Sequence, residues 1–170
     1  MATISIRTPC NEADHSAIRT LCRGYRASLV EATADRPEAI ENAYKYDEYE
    51  GLLRRLPTLH APPNGALFLG LVDGVPLGCG MIHQIAPGTI EIKRVYTAPP
   101  ARGLGLGRHI VEAAIEHART NGAQRMVLDT MRPLVAAQTL YESLGFRPIE
   151  PFYDLAPEWA DYILFFGRFL

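Results

Sequence analysis

The tightest constraint on this chain lies at Arg102-Gly103-Leu104-Gly105-Leu106-Gly107-Arg108. The segment follows an apolar, β-branched run from Thr89 to Thr97 and a Pro99-Pro100 break, and it leads into a helical pattern from Arg108 to Asn121. The order is strand, glycine loop, helix. Alternate glycines leave successive backbone N–H groups uncovered by side chains, and the following helix places its positive dipole end at the same spot. Such a loop is an anion cradle suited to a phosphate or pyrophosphate. A glycine-rich turn that merely lets a strand enter a helix has the same composition.

Two phosphate-binding patterns do not fit. A Walker loop needs a lysine followed by a hydroxyl residue after its last glycine, and Arg108-His109 stands there instead. A dinucleotide fingerprint needs Gly-x-Gly-x-x-Gly, whereas the glycine after Gly103-x-Gly105 falls one residue early, at Gly107.

The surrounding pattern gives the element order. Ile4 and Ile6 alternate with Ser5 and Arg7 in a short strand ended by Pro9. Asn11 is a helix cap for Ala13, Ala17, Ile18, Leu21, Cys22, Tyr25 and Leu29 at helical spacing. From Val30 to Ala43 the pattern supports only a loop or a short helix. Tyr46, Tyr49, Leu52, Leu53 and Leu56 form a second helical stripe, which Pro57 is expected to stop. Ala66 to Val72 and Val75 to Ile85 read as a hairpin around Asp73-Gly74, and Ala86-Pro87-Gly88 turns the chain into Thr89 to Thr97. After the glycine loop, Ile110, Val111, Ala114, Ile115 and Ala118 face inward, and Asn121-Gly122 ends the helix. Arg125 to Thr130 is then a strand reached by a helical crossover, parallel to the strand before the loop. Pro133 opens another helix, closed at Gly145, and Phe146 to Phe152 and Asp161 to Leu170 complete the set as strands.

Arg102, Gly105 and Gly107 fill the fixed places of the Gln/Arg-x-x-Gly-x-Gly/Ala pattern, and Leu140-Tyr141-Glu142-Ser143-Leu144-Gly145-Phe146 follows in order. On these segments the chain resembles the GNAT superfamily of N-acetyltransferases, most specifically from Glu91 to Phe146. The resemblance implies an α/β acyl-CoA N-acyltransferase fold: a mixed, mostly antiparallel sheet of six to seven strands flanked by about four helices. It implies acetyl-CoA as cosubstrate, no metal, and direct transfer to a primary amine of a small molecule or peptide. Donor binding would fall to Val95 and Thr97, whose backbone groups pair with the pantetheine arm, and to Arg102, Gly103, Leu104, Gly105, Leu106, Gly107 and Arg108. Where many members carry an asparagine seven residues before the tyrosine, this chain has Leu134, and the resemblance to members with a Leu-Asp-Thr segment implies Asp129-Thr130 as the substitute polar pair. The variable segment Val30 to Thr58, the strand Val75 to Ile85 and Tyr153 would shape the acceptor site.

The length, 170 residues, fits one N-acetyltransferase domain, 1–170. A net charge of −2, with no basic cluster larger than Arg54-Arg55 or Lys93-Arg94, gives no sign of a nucleic-acid binder. Cys10, Cys22 and Cys79 show neither zinc nor disulfide spacing, and no signal peptide or membrane span is evident, so a cytoplasmic location is expected. The apolar ending Tyr162 to Leu170 suits a homodimer contact or a core strand equally.

Acyl transfer from a thioester requires removal of a proton from the amine and benefits from protonation of the leaving sulfur. The resemblance assigns the acid to Tyr141; helical spacing alone would read it as packing. Glu91, among Ile90, Ile92 and Val95, is the leading general base, and burial there is expected to raise its pKa. It would otherwise be solvent-facing or paired with Lys93. His83 competes with it, since an imidazole titrates at about 6.5, and water is the third possibility. His109 reads as structural. The alternative for the whole chain is a non-catalytic acyl-CoA-binding sensor, against which the presence of both Glu91 and Tyr141 argues.

Overall fold

The computed structural model describes residues 1–170. A seven-stranded sheet in the order β1-β2-β3-β4-β5-β7-β6 carries helices on both faces. Its strands are β1 (Ile4–Arg7), β2 (Gly65–Val72), β3 (Val75–Ala86), β4 (Thr89–Thr97), β5 (Arg125–Met131), β6 (Arg147–Pro148) and β7 (Ile163–Phe169). The helices are α1 (Glu12–Ala32), α2 (Glu38–Ala43), α3 (Tyr46–Leu59), α4 (Leu106–Thr120) and α5 (Val135–Ser143). Every neighbouring pair of strands is antiparallel except β4 and β5, the pair joined by the α4 crossover. This is the mixed sheet expected from the sequence.

The sheet divides the core. On one face Ile110, Val111, Ala114 and Ile115 of α4, with Tyr141 and Leu144, pack against Ile82, Ile90, Ile92, Met126 and Leu128. On the other, Ile18, Leu21 and Cys22 of α1 and Tyr49, Leu53 and Leu56 of α3 meet Leu67, Leu69, Cys79 and Met81. Helix α4 lies unusually close to the sheet, because Cβ atoms added at Gly78 and Gly80 would come within 2.8 and 2.7 Å of Ile110 side-chain atoms. That close seat fixes where the helix begins.

Several boundaries differ from the sequence reading. Asn11 does cap α1, its Oδ1 accepting from the Asp14 N–H at 2.9 Å, but the helix continues to Ala32 and a separate α2 follows Pro37, giving five helices. Helix α3 runs through Pro57 to Leu59: near a C-terminus, proline's missing N–H costs one bond of a turn that already ends, and His60 N–H still bonds the Leu56 carbonyl. Tyr46 of the proposed stripe is exposed. The strand expected over Phe146 to Phe152 shrinks to Arg147–Pro148, where Pro148 and Pro151 lack the N–H groups that a ladder requires. No helix is long and apolar enough to cross a membrane.

Candidate active site

Strands β4 and β5 pair at only three positions, Thr89 with Arg125, Ile90 with Met126 and Glu91 with Val127. Beyond Glu91 they part, and the gap opens toward the glycine loop. The loop turns on Gly105, whose φ of 85° is open to glycine and costly for a side chain. His109 Nδ1 lies 2.9 Å from the Gly105 carbonyl and braces this turn, in keeping with its structural reading. The first backbone bond of α4 runs from His109 N–H to Gly105, so the N–H groups of Leu106, Gly107 and Arg108 precede the helical ladder and face outward from its positive end.

A groove of about 570 Å³ is lined by Val95, Thr97, Arg102, Gly103, Gly105, Leu106, Gly107 and Arg108, together with Ala137, Leu140 and Tyr141 of α5. All the donor-binding residues expected from the sequence meet here except Leu104, whose side chain is exposed. The groove fits a phosphorylated thioester with an extended arm: unpaired helix N–H groups at one end, free strand edges beside it and no acidic side chain in its lining. Arg108 is also a fastener, donating to Ser143 Oγ at 2.8 Å and approaching Glu112 at 3.7 Å.

On the opposite face of β4 the two candidate bases form one unit. His83 and Glu91 are directly paired across β3 and β4, and His83 Nε2 lies 2.6 Å from Glu91 Oε2. Lys93 Nζ donates to the other carboxylate oxygen at 2.8 Å. Glu91 is buried, as the apolar strand suggested, yet its pKa is lowered rather than raised. Burial pushes it up, and the His83 hydrogen bond and the Lys93 charge together outweigh that cost. His60, at the end of α3, lies with its ring centroid 5.4 Å from that of His83, the two rings tilted at 49°, bonds the Ile82 carbonyl through Nδ1 at 3.0 Å and is lowered to about 4 by burial.

Tyr141 is buried edge-on against Phe146, and burial, reinforced by the Asp129 carboxylate, pushes its phenol well up. Asp129 lies outside the groove lining. Its Oδ2 accepts from Tyr153 Oη at 2.6 Å, and both residues line a cavity of about 310 Å³ with Asn42, Tyr44, Leu155 and Trp159. Of the parts expected to shape an acceptor site, this cavity draws on the segment Val30 to Thr58, through Asn42 and Tyr44, and on Tyr153, but on no residue of Val75 to Ile85. No group of three or more His, Cys, Asp or Glu side chains is placed to hold a metal ion.

Sequence reasoning missed two residues on this face, His60 and Arg94. Strand β4 bulges opposite Gly80: Lys93 faces Met81 and Tyr96 faces Cys79, so Arg94 and Val95 share one partner. Lys93 and Arg94 consequently point to the same side, while Val95 joins the groove. The signal was the pair of glycines around Cys79, since glycine inside a strand often marks a bulge.

An open α/β sheet whose single parallel pair splays beside a glycine-rich helix start is the frame of an acyl-CoA-dependent transferase family. Residues 26–146 match the family described as the acetyltransferase (GNAT) family, and the chain belongs to it. It is 40% identical over 96 residues to a protein described as an uncharacterised N-acetyltransferase of Schizosaccharomyces pombe, a match covering 55% of this chain and 59% of that one. Matches to two further N-acetyltransferases, of Dictyostelium discoideum and Bacillus subtilis, span 29% and 40% of their lengths, so this chain corresponds to only part of these curated relatives. Among solved structures, a GNAT-family acetyltransferase of Staphylococcus aureus shares the fold at a TM-score of 0.73 and 16% identity, over 98% of this chain and 99% of the other. The PaiA N-acetyltransferase of Thermoplasma acidophilum, solved with coenzyme A, does so at 0.71 and 16%, over 99% of each.

Proposed function

We propose that residues 1–170 act as one N-acetyltransferase domain that moves an acetyl group from acetyl-CoA to the primary amine of a small molecule or peptide. The observation that carries this reading is that the groove and the Glu91–His83 pair lie on opposite faces of β4, at the point where it leaves β5.

Acetyl-CoA, when bound, supplies an activated acyl group and a thiol leaving group. The N–H groups at the start of α4 would hold its pyrophosphate, and the edge of β4 at Val95 and Thr97, free of β5, would pair with its arm as an added strand does. The acceptor enters from the opposite face. There the Glu91–His83 pair receives the amine proton, directly or through water, and Lys93 keeps the carboxylate ionised. Tyr141, whose raised pKa keeps its proton in place at neutral pH, gives that proton to the departing sulfur.

The test is release of free thiol from acetyl-CoA against a panel of amines, amino acids and N-terminal peptides. Release above the acceptor-free background is the expected result. Donor binding without release for any acceptor would favour the acyl-CoA sensor instead.

A further inference from the structure

Arg94 Nε is the one buried side-chain nitrogen or oxygen in the molecule without a hydrogen-bond partner. The residue keeps only 9% of its surface accessible, and its guanidinium has poor company: Met81 Sδ at 3.7 Å from Nη1, and the Tyr49 ring centroid at 6.0 Å. No carboxylate neutralises it. The acids around this face are already engaged: Glu91 with His83 and Lys93, Glu50 with Arg23, and Asp129 with Tyr153.

The backbone of the same residue is also unusual. Arg94 has a φ of 51°, and the only other non-glycine residue at positive φ is Asp73, in the hairpin turn. Turn positions accept that conformation readily; the middle of a strand does not. A buried unpaired charge and a left-handed non-glycine residue each cost stability. Both occur here because the bulge turns Arg94 toward the face that carries Glu91. A methionine would fill the same space without the charge.

We propose that Arg94 determines acceptor specificity by binding a carboxylate of the acceptor, so that the substrate is a small amine bearing a carboxylate a few bonds away, an amino acid or short aminoalkyl acid. The inference rests on the transferase reading. Three positions of extended chain separate the Cα atoms of Glu91 and Arg94 by roughly 10 Å. Long side chains at both ends shorten that span to the length of a small zwitterion. A guanidinium matches a carboxylate in a two-bond fork, and the ion that satisfies Nε would arrive with the substrate.

The experiment compares kcat/KM for amino acids with that for their C-terminal amides, in the wild type and in Arg94→Met and Arg94→Lys. The wild type is expected to favour the acids by about 100-fold, the effect of a buried charge pair. That ratio should approach one in Arg94→Met and fall between in Arg94→Lys. A wild type that uses amides as well as acids, or an Arg94→Met ratio equal to the wild type's, overturns the proposal. Absence of thiol release with both series, while other amines of the panel are acetylated, overturns the proposal; absence with every amine is a failure of the transferase reading, not of this one. In that case, thermal shifts in the presence of coenzyme A decide: stabilisation by the acids and not by their amides, lost in Arg94→Met, supports the carboxylate site, and equal shifts overturn it. If Arg94→Met does not fold, the wild-type ratio and its fall in Arg94→Lys decide in its place.

Discussion

On the α4 side of β4 the site is made of main chain: glycines, the N–H groups that start a helix, and strand edges left open by the parting of β4 from β5. On the α1 and α3 side it is made of charged and aromatic side chains: His60 from the end of α3, His83 from β3, Glu91, Lys93 and Arg94 from β4, and Tyr153 from the segment before β7. The first kind of site, Tyr141 apart, tolerates exchange of side chains as long as nothing fills the space. The second depends on the identity of each group. The contrast suits a common donor on one face and a particular acceptor on the other.

Filling the main-chain side is the severest way to test that contrast. A Cβ at Gly107 would already stand 3.4 Å from Thr97 Oγ1 and 3.5 Å from Leu140 Cδ2, so the branches of Gly107→Val have only the groove to occupy. Loss of charge-assisted N–H contacts is expected to weaken acetyl-CoA binding by about 100-fold or more, measured calorimetrically. Glu91→Gln should instead lower kcat by about 100-fold and leave donor affinity nearly unchanged. The sign of its pH dependence follows from its lowered pKa: the ionised carboxylate persists above that value and is lost only as pH falls through it. The limb in kcat/KM due to Glu91 therefore lies below its ordinary 4.5, and a limb well above that belongs to another group. Tyr141→Phe is expected to cost about tenfold in kcat, less than the base, because a thiolate is already a fair leaving group near neutral pH. Leu104→Ser should change donor affinity by less than about twofold, since an exposed side chain outside the groove leaves the main chain as it was. A large loss in Leu104→Ser would remove the distinction between the two faces.

The same contrast explains what could be read in advance. Main-chain sites leave strong sequence marks, because glycine spacing and hydrophobic period determine them directly. Gly105, the inward stripe of α4 and the hairpin at Asp73-Gly74 all stand where the pattern put them. Side-chain sites assemble from distant segments, and their marks are weak. Nothing near His60 in the chain indicates His83, and the cross-strand register that binds His83 to Glu91 depends on two bulges in β3 and β4. The expected rise in the pKa of Glu91 failed for the same reason: burial is legible from an apolar strand, whereas a partner from the next strand is not. Arg94 was visible only as half of a basic pair until the bulge gave it a direction.

The three-pair contact between β4 and β5 bears on more than ligand space. It makes the sheet two plates, β1 to β4 and β5 with β7 and β6, stitched along a short seam. A donor lying in the gap would act as a splint, lending hydrogen bonds that neither plate gives the other. Amide protons along the open stretch of β4 should then exchange with solvent more slowly as donor is added, and resistance to heat should rise with its concentration. Beyond Glu91 and Val127, β4 and β5 lack the ladder bonds that neighbouring strands otherwise give each other.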